Sequence, residues 1–370
     1  MKMISPKWIL PFLALSIWGL LAGLWAGLTR MGWAVPSLSA NLPIAHGPLM
    51  VSGFLGTLIA LERVAALKQK RLLAAPLLSG VGWVIGLLFP AVRLGAVFIT
   101  LGSLGTVVIL AIIFRREAQL FTGAMLAGAA CWLAGNLLWL TGVPIFRLVF
   151  LWMAFLVLTV AGERLELSRV LRPTRFHYSL FAGAAGLFLS GAALAPWLPA
   201  AGARLAGAGL LALAAWLLRF DLARRNLKHP TPLTRYIAVC LFGGYLWLGV
   251  GGLISLAAGF LAAGPLYDAV LHSVLVGFTM AMIFGHAPII LPALLGGMLP
   301  FRRGLYACLG LLHGSLVLRL AGDLASISRA ANWEDVRRWG GLLNEIAILA
   351  FFGMVIALVA RARVKPGRSQ

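Results

Sequence analysis

Residues 94–114 read LGAVFITLGSLGTVVILAIIF, 21 positions without a charged side chain, bounded by Arg93 before and Arg115-Arg116 after. At about 1.5 Å of rise per residue, one helix of this length crosses the roughly 30 Å hydrocarbon core of a bilayer. Eleven further segments read the same way, giving spans at roughly 8–28, 43–62, 72–89, 94–114, 120–141, 146–163, 176–196, 203–219, 236–260, 267–294, 304–322 and 339–360. The apolar core after Lys7 exceeds the roughly 7–15 residues of a signal peptide, so the first span is expected to be retained. Composition agrees. Of 370 residues, 61% are hydrophobic and 11% charged, with a mean hydropathy of +0.97, against about 45–50% and about 25% in a soluble domain. The fold expected is an all-α, polytopic membrane helix bundle of about 12 transmembrane helices, forming a single integral-membrane domain over residues 1–370. An ordinary cytosolic enzyme, a disordered chain and a disulfide scaffold are excluded. Cys131, Cys240 and Cys308 all lie inside apolar runs, where no disulfide framework is expected.

The formal net charge is +21, from 31 Lys and Arg against 10 Asp and Glu. In a soluble protein that excess would point to nucleic acid; here it points to basic loops against anionic membrane lipid, and no nucleic-acid partner is expected. With the N-terminus inside, 23 of the 31 basic residues fall on the inner side. The positive-inside rule therefore places both termini in the cytoplasm. The loop from Asp221 to Arg235, with Pro230 and Pro232, is the longest polar stretch and marks a candidate division into two bundles near 221–235. Glu62-Arg63 and Glu163-Arg164 echo one another at the inner ends of spans 2 and 6 and are expected to anchor the interface.

There is no phosphate-binding loop, dinucleotide fingerprint, CxxC or HExxH. What remains is histidine. His177 and His229 belong to basic inner loops, whereas His46, His272, His286 and His313 lie in or beside apolar runs, where an ionisable group is costly and marks a functional candidate. His46 opens span 2 and His272 lies about five residues into span 10, both near the outer face. Two neutral imidazoles at that depth are of a kind that holds a haem iron; the alternative is a lone ring bonded to a neighbouring helix. His286 and His313 form a deeper pair, a candidate for a second metal or a gas ligand, with Tyr306 two turns from His313 as a proton partner. Fourteen residues separate His272 from His286, which at ~100° per residue puts both on one α-helical face. Pro288 and Pro292 are expected to break span 10 there. Pro48 is a candidate first helical residue of span 2, which would leave His46 at the interface. Arg319 and Asp323, spaced i, i+4 in span 11, are expected to pair, and Arg319 is a candidate partner for a haem propionate.

Three stretches carry a resemblance. His46-Gly47-Pro48-Leu49-Met50-Val51-Ser52-Gly53-Phe54 has a Gly-Phe beginning seven residues after its histidine, His272 is followed five residues later by Gly277, and Leu316-Val317-Leu318-Arg319-Leu320 forms a Leu- and Arg-bearing helix segment near the C-terminus. Together with the twelve-span layout these resemble the NnrS family, polytopic bacterial membrane proteins of nitric oxide metabolism described as binding haem and copper. Pro48 stands where that family has its second histidine. The resemblance implies a bacterial inner-membrane protein that handles nitric oxide or a related small gas or redox ligand, with a b-type haem (heme b) on His46 and His272, and copper as a further cofactor. Haem–copper oxidases and nitric oxide reductases are similar in span number, but their HxxxY and His-His signatures are absent here. A haem–copper-type reductase or oxidase subunit is therefore an alternative, as is a secondary transporter with its site at the broken span 10.

Overall fold

The computed structural model describes residues 5–36, 41–89, 93–295, 301–327 and 333–364; Lys2, Lys365 and Arg368 of the charge count lie outside them. No strand occurs among the described residues, and twelve helices are long and apolar enough to span a membrane. They are α1 (Lys7–Arg30), α2 (Leu42–Leu67), α3 (Lys70–Leu88), α4 (Leu94–Arg116), α5 (Leu120–Leu140), α6 (Ile145–Leu171), α7 (Arg175–Leu194), α8 (Pro199–Phe220), α9 (Pro232–Ala258), α10 (Pro265–Pro292), α11 (Gly304–Ser326) and α12 (Trp333–Ala360). The chain is thus a multi-pass, all-α membrane protein. The physical reason is that a helix satisfies its own backbone polar groups where water cannot. Proline sits in the first turn of α8, α9 and α10, where its missing N–H costs nothing.

Enclosure by the rest of the protein is uneven. The most hydrophobic windows of α2, α6 and α10 are 61%, 78% and 67% buried, the three highest values of the twelve. Every fourth helix is therefore an interior one, and the candidate residues of α2 and α10 belong to interior helices.

Two of these three interior helices also contain a π-helical segment. Within α2, α-helical Leu42–Pro48 passes into a π-helix over Leu49–Gly56 before α-helix resumes at Thr57. Within α10, Pro265–His272 is followed by a π-helix over Ser273–Met280 and then α-helix from Ala281. The expected break at Pro288 and Pro292 does not occur: both prolines lie inside the helix Ala281–Leu295, and the irregular stretch comes before them. Because π turns advance by i→i+5 bonds, the uniform 100° count that set His272 and His286 on one face does not carry through α10. Pro48 is likewise not the first helical residue. Pro43 occupies that turn, so His46 is inside the helix.

The chain divides into two compact units, Met1–Glu163 and Arg164–Gln370, and residues 221–235 lie within the second. In that unit Asp221 is 1% exposed. It accepts hydrogen bonds from Arg164 Nε and Nη2 (3.1 and 3.0 Å), Ser168 Oγ (3.0 Å), Tyr245 Oη (2.9 Å) and the Ala223 backbone N–H (3.0 Å). This buried carboxylate is fully used by its neighbours and holds the start of the loop to the bundle. In the first unit Arg63 pairs with Glu163. The two echoed Glu-Arg dipeptides are therefore split, each arginine paired with an acid outside its own dipeptide.

Candidate functional site

In the first unit the His46 ring is fixed by Nδ1, 2.8 Å from the carbonyl oxygen of Gly23 on α1. A carbonyl only accepts, so Nδ1 carries the proton and Nε2 is the acceptor nitrogen of the neutral ring. A methyl group at Gly23 would collide with the Met50 thioether, so the bare glycine lets α1 lie close to α2 here. The π segment just after His46 is held by groups that meet its irregular backbone. Ser16 Oγ donates to the Phe54 carbonyl at 3.0 Å, and the Ser52 hydroxyl accepts from Trp132 Nε1 at 3.2 Å. Gly53 lies against the Trp83 side chain, where a Cβ would stand 3.0 Å from the ring.

In the second unit His272 Nδ1 is 2.9 Å from the Asp268 carbonyl oxygen and 3.2 Å from Asp268 Oδ1. The i, i+4 spacing places the two one above the other on α10. Asp268 in turn accepts a bidentate pair from Arg319 on α11, Nε to Oδ2 at 2.7 Å and Nη2 to Oδ1 at 2.9 Å. Arg319 therefore does not pair with Asp323 as its spacing led one to expect. Two parallel charge-assisted bonds from the planar guanidinium to a facing carboxylate outcompete a neighbour on the same helix. Asp268 was not among the sequence candidates. Its position four residues before His272, in the first turn of an apolar helix, was the signal that could have found it.

The deeper histidines differ in kind. His286 Nδ1 lies 2.7 Å from the Met282 carbonyl oxygen, so its acceptor nitrogen is also Nε2. His313 is reversed: Trp247 Nε1–H donates to His313 Nδ1 at 3.0 Å, so the ring's proton is on Nε2. That atom is buried against Gly243 and has no hydrogen-bond partner among the described residues. With its lone pair engaged by Trp247, His313 offers a donor, whereas His286 offers an acceptor. Tyr306 packs edge-on against Tyr236, ring centroids 5.1 Å apart, in an aromatic cluster with Phe301.

Among the described residues no three His, Cys, Asp or Glu side chains gather into a group that could hold a metal ion. An axial haem ligand is a single imidazole bound through its unprotonated ring nitrogen. A copper ion needs several ligands converging. The donor sets of His46, His272 and His286 fit the first requirement, and their fixed Nδ1–H groups match the outer-shell bonding that orients ligating histidines.

The family described as Domain of unknown function (DUF8744) matches residues 9–360, and the chain belongs to it. No curated protein matches the chain.

Proposed function

We propose that this protein is a haem-binding protein of the bacterial inner membrane that handles nitric oxide or a related small gas or redox ligand, with both termini in the cytoplasm. The observation that carries the reading is the His272 environment. Its Nδ1–H is held by the carbonyl and carboxylate of Asp268, which leaves Nε2 as the ring's basic nitrogen and makes it a stronger electron donor. A haem iron supplies the redox and gas-binding chemistry once ligated. The chain's own part is to hold the imidazole in one tautomer, to neutralise Asp268 through Arg319, and to keep the surroundings apolar. On this reading Arg319 is a positioning residue that acts through Asp268, rather than primarily a propionate partner. His46, fixed in the same tautomer, is the ligand candidate of the first unit. The resemblance to the NnrS family supports the same two histidines. The 23 basic residues on the assumed inner side support the orientation.

A visible spectrum of detergent-purified protein tests this. A Soret band that weakens or turns high-spin in His272→Ala and His46→Ala is the expected result. A colourless protein after expression with haem supplied, or unchanged low-spin spectra in both variants, overturns it. A colourless protein would favour the second reading, a secondary transporter. That reading has its own support in the buried carboxyls of Asp323 and Glu345 on α11 and α12, since intramembrane acids commonly mark ion pathways.

A further inference from the structure

Asn136 on α5 is 0% exposed, and neither its Oδ1 nor its Nδ2 has a hydrogen-bond partner among the described residues. Trp152 on α6 is 1% exposed, and its Nε1–H lacks a hydrogen-bond partner in the same way. Both belong to the first unit, and both lie at one crossing of α5 and α6. Trp152 Nε1 rests against Gly135, where a Cβ would stand 2.9 Å away, and Asn136 is the next residue. Trp139, in the turn that follows, meets the Trp152 ring edge-on with centroids 5.8 Å apart. Trp132, one turn earlier, shows how this fold treats an indole that it can serve: its Nε1 donates to Ser52 Oγ at 3.2 Å. No described side chain does the same for Asn136 or Trp152, although the bilayer core offers no outside water and buried amides are almost always bonded.

Counting donors and acceptors defines what completes them. Together the two side chains offer three N–H donors and one carbonyl oxygen. Their partner must therefore accept and donate at once. It is uncharged, because an amide and an indole supply no counter-charge and the adjoining Trp139 packs against the hydrophobic cluster of Leu42, Leu49, Trp83 and Ile99. It is also small, since α5 and α6 are in close contact at Gly135. We propose that Asn136 and Trp152 form an internal binding site for a single water molecule, which accepts from Asn136 Nδ2 and Trp152 Nε1 and donates to Asn136 Oδ1. About three hydrogen bonds is the usual complement of a buried water. The site adjoins the turn of α2 that carries His46: the far edge of the Trp152 ring reaches Gly47, where a Cβ would lie 4.0 Å from Cζ3. An exchangeable hydrogen-bonding molecule is thereby kept next to that turn, inside an otherwise apolar set of helices. The proposal involves no cofactor and no change of charge, so it stands apart from the haem reading.

A double-mutant cycle on the full chain in detergent tests whether the two groups share one molecule. Asn136→Leu keeps the shape of the amide without its polar atoms, and Trp152→Phe removes the indole N–H. Each is expected to lower the unfolding midpoint, and the double variant to lose clearly less than the sum, because either change alone already frees the water. A midpoint raised by Asn136→Leu overturns the proposal, since replacing an amide that has no partner by an apolar group stabilises. Strictly additive losses also overturn it. A density map of the wild-type protein that resolves ordered water decides the matter even where a variant fails to fold. The expected result is one water-sized peak within about 2.7–3.2 Å of all three polar atoms. No peak there, a direct Asn136–Trp152 hydrogen bond, or the larger density of an organic molecule overturns the proposal.

Discussion

α2 and α10 use the same backbone device with different support. Each has a histidine shortly before an eight-residue π-helix, and in each π-helix the fifth and sixth residues are Gly-Phe, Gly53-Phe54 and Gly277-Phe278. In each a tryptophan of another helix, Trp83 or Trp247, covers the glycine. The histidines are secured differently. His46 relies on the Gly23 backbone carbonyl, whereas His272 is tied to Asp268 and through it to Arg319. A backbone carbonyl holds a tautomer and does little else. A carboxylate also sets the electrostatic potential at the ring, and that potential changes with the carboxylate's own partners. α2 therefore offers a fixed imidazole, and α10 a tunable one.

The largest effect that separates the two comes from Asp268→Asn. It leaves Arg319 buried without its counter-ion, and breaking a buried pair by removing one partner costs about 3–5 kcal/mol. The expected outcome is a lowered unfolding midpoint in detergent, with the His272 ring still held by the backbone carbonyl of residue 268. His46→Ala removes the neutral hydrogen bond to the Gly23 carbonyl, about 1 kcal/mol, and some packing, but strands no buried charge, so it should cost less. Equal losses in the two variants would mean that the ion pair adds little to α10, and the contrast would fail.

Glycine substitutions sharpen the same contrast at a smaller scale. A Cβ on Gly277 would stand 2.4 Å from Trp247 Cγ and 2.9 Å from Leu316 Cδ2, whereas one on Gly53 meets Trp83 at 3.0–3.2 Å. Overpacking costs about 1–3 kcal/mol. Gly277→Ala is expected near the upper end and Gly53→Ala near the lower, read from the unfolding midpoints. Gly277→Ala should also disturb the Trp247–His313 hydrogen bond, visible as a change in Trp fluorescence.

Hydropathy made the twelve helices legible, since membrane solvation leaves a mark on every residue of a span. It missed the charged ends. α12 begins at Trp333 with Glu334 and Asp335 in its first turn, six residues before the apolar run does. α2 continues past Glu62 because Arg63 has Glu163 as a partner. The π segments left no trace, because i→i+5 bonding is decided by what neighbouring helices offer the backbone, here Ser16 for the Phe54 carbonyl. The four intramembrane histidines were identifiable because a polar ring in an apolar run is conspicuous. Which nitrogen each one presents was not, since it depends on a carbonyl or an indole from the fold. The Arg319–Asp323 spacing misled for the same reason: the competing carboxylate comes from another helix.

The smallest expected effect concerns how the π segments are closed. Thr279 Oγ1 donates to the Val274 carbonyl at 3.1 Å, and Thr57 Oγ1 points to the Ser52 carbonyl at 3.4 Å, both bridging back five residues. In a wide turn, a hydroxyl at this spacing reaches a carbonyl that an α-helix would bind at i+4. Replacing either threonine by valine keeps the shape but removes the hydroxyl. The lost bond is worth about 0.5–1.5 kcal/mol when geometry is good and less when it is long. Thr279→Val is therefore expected to lower the unfolding midpoint measurably and to speed amide exchange over 273–280, whereas Thr57→Val should leave α2 nearly unchanged. If Thr57→Val were the more damaging of the two, the π-helix of α2 would depend on its own side chains more than on Ser16 and Trp132. The division between a passively held α2 and an actively held α10 would then have to be redrawn.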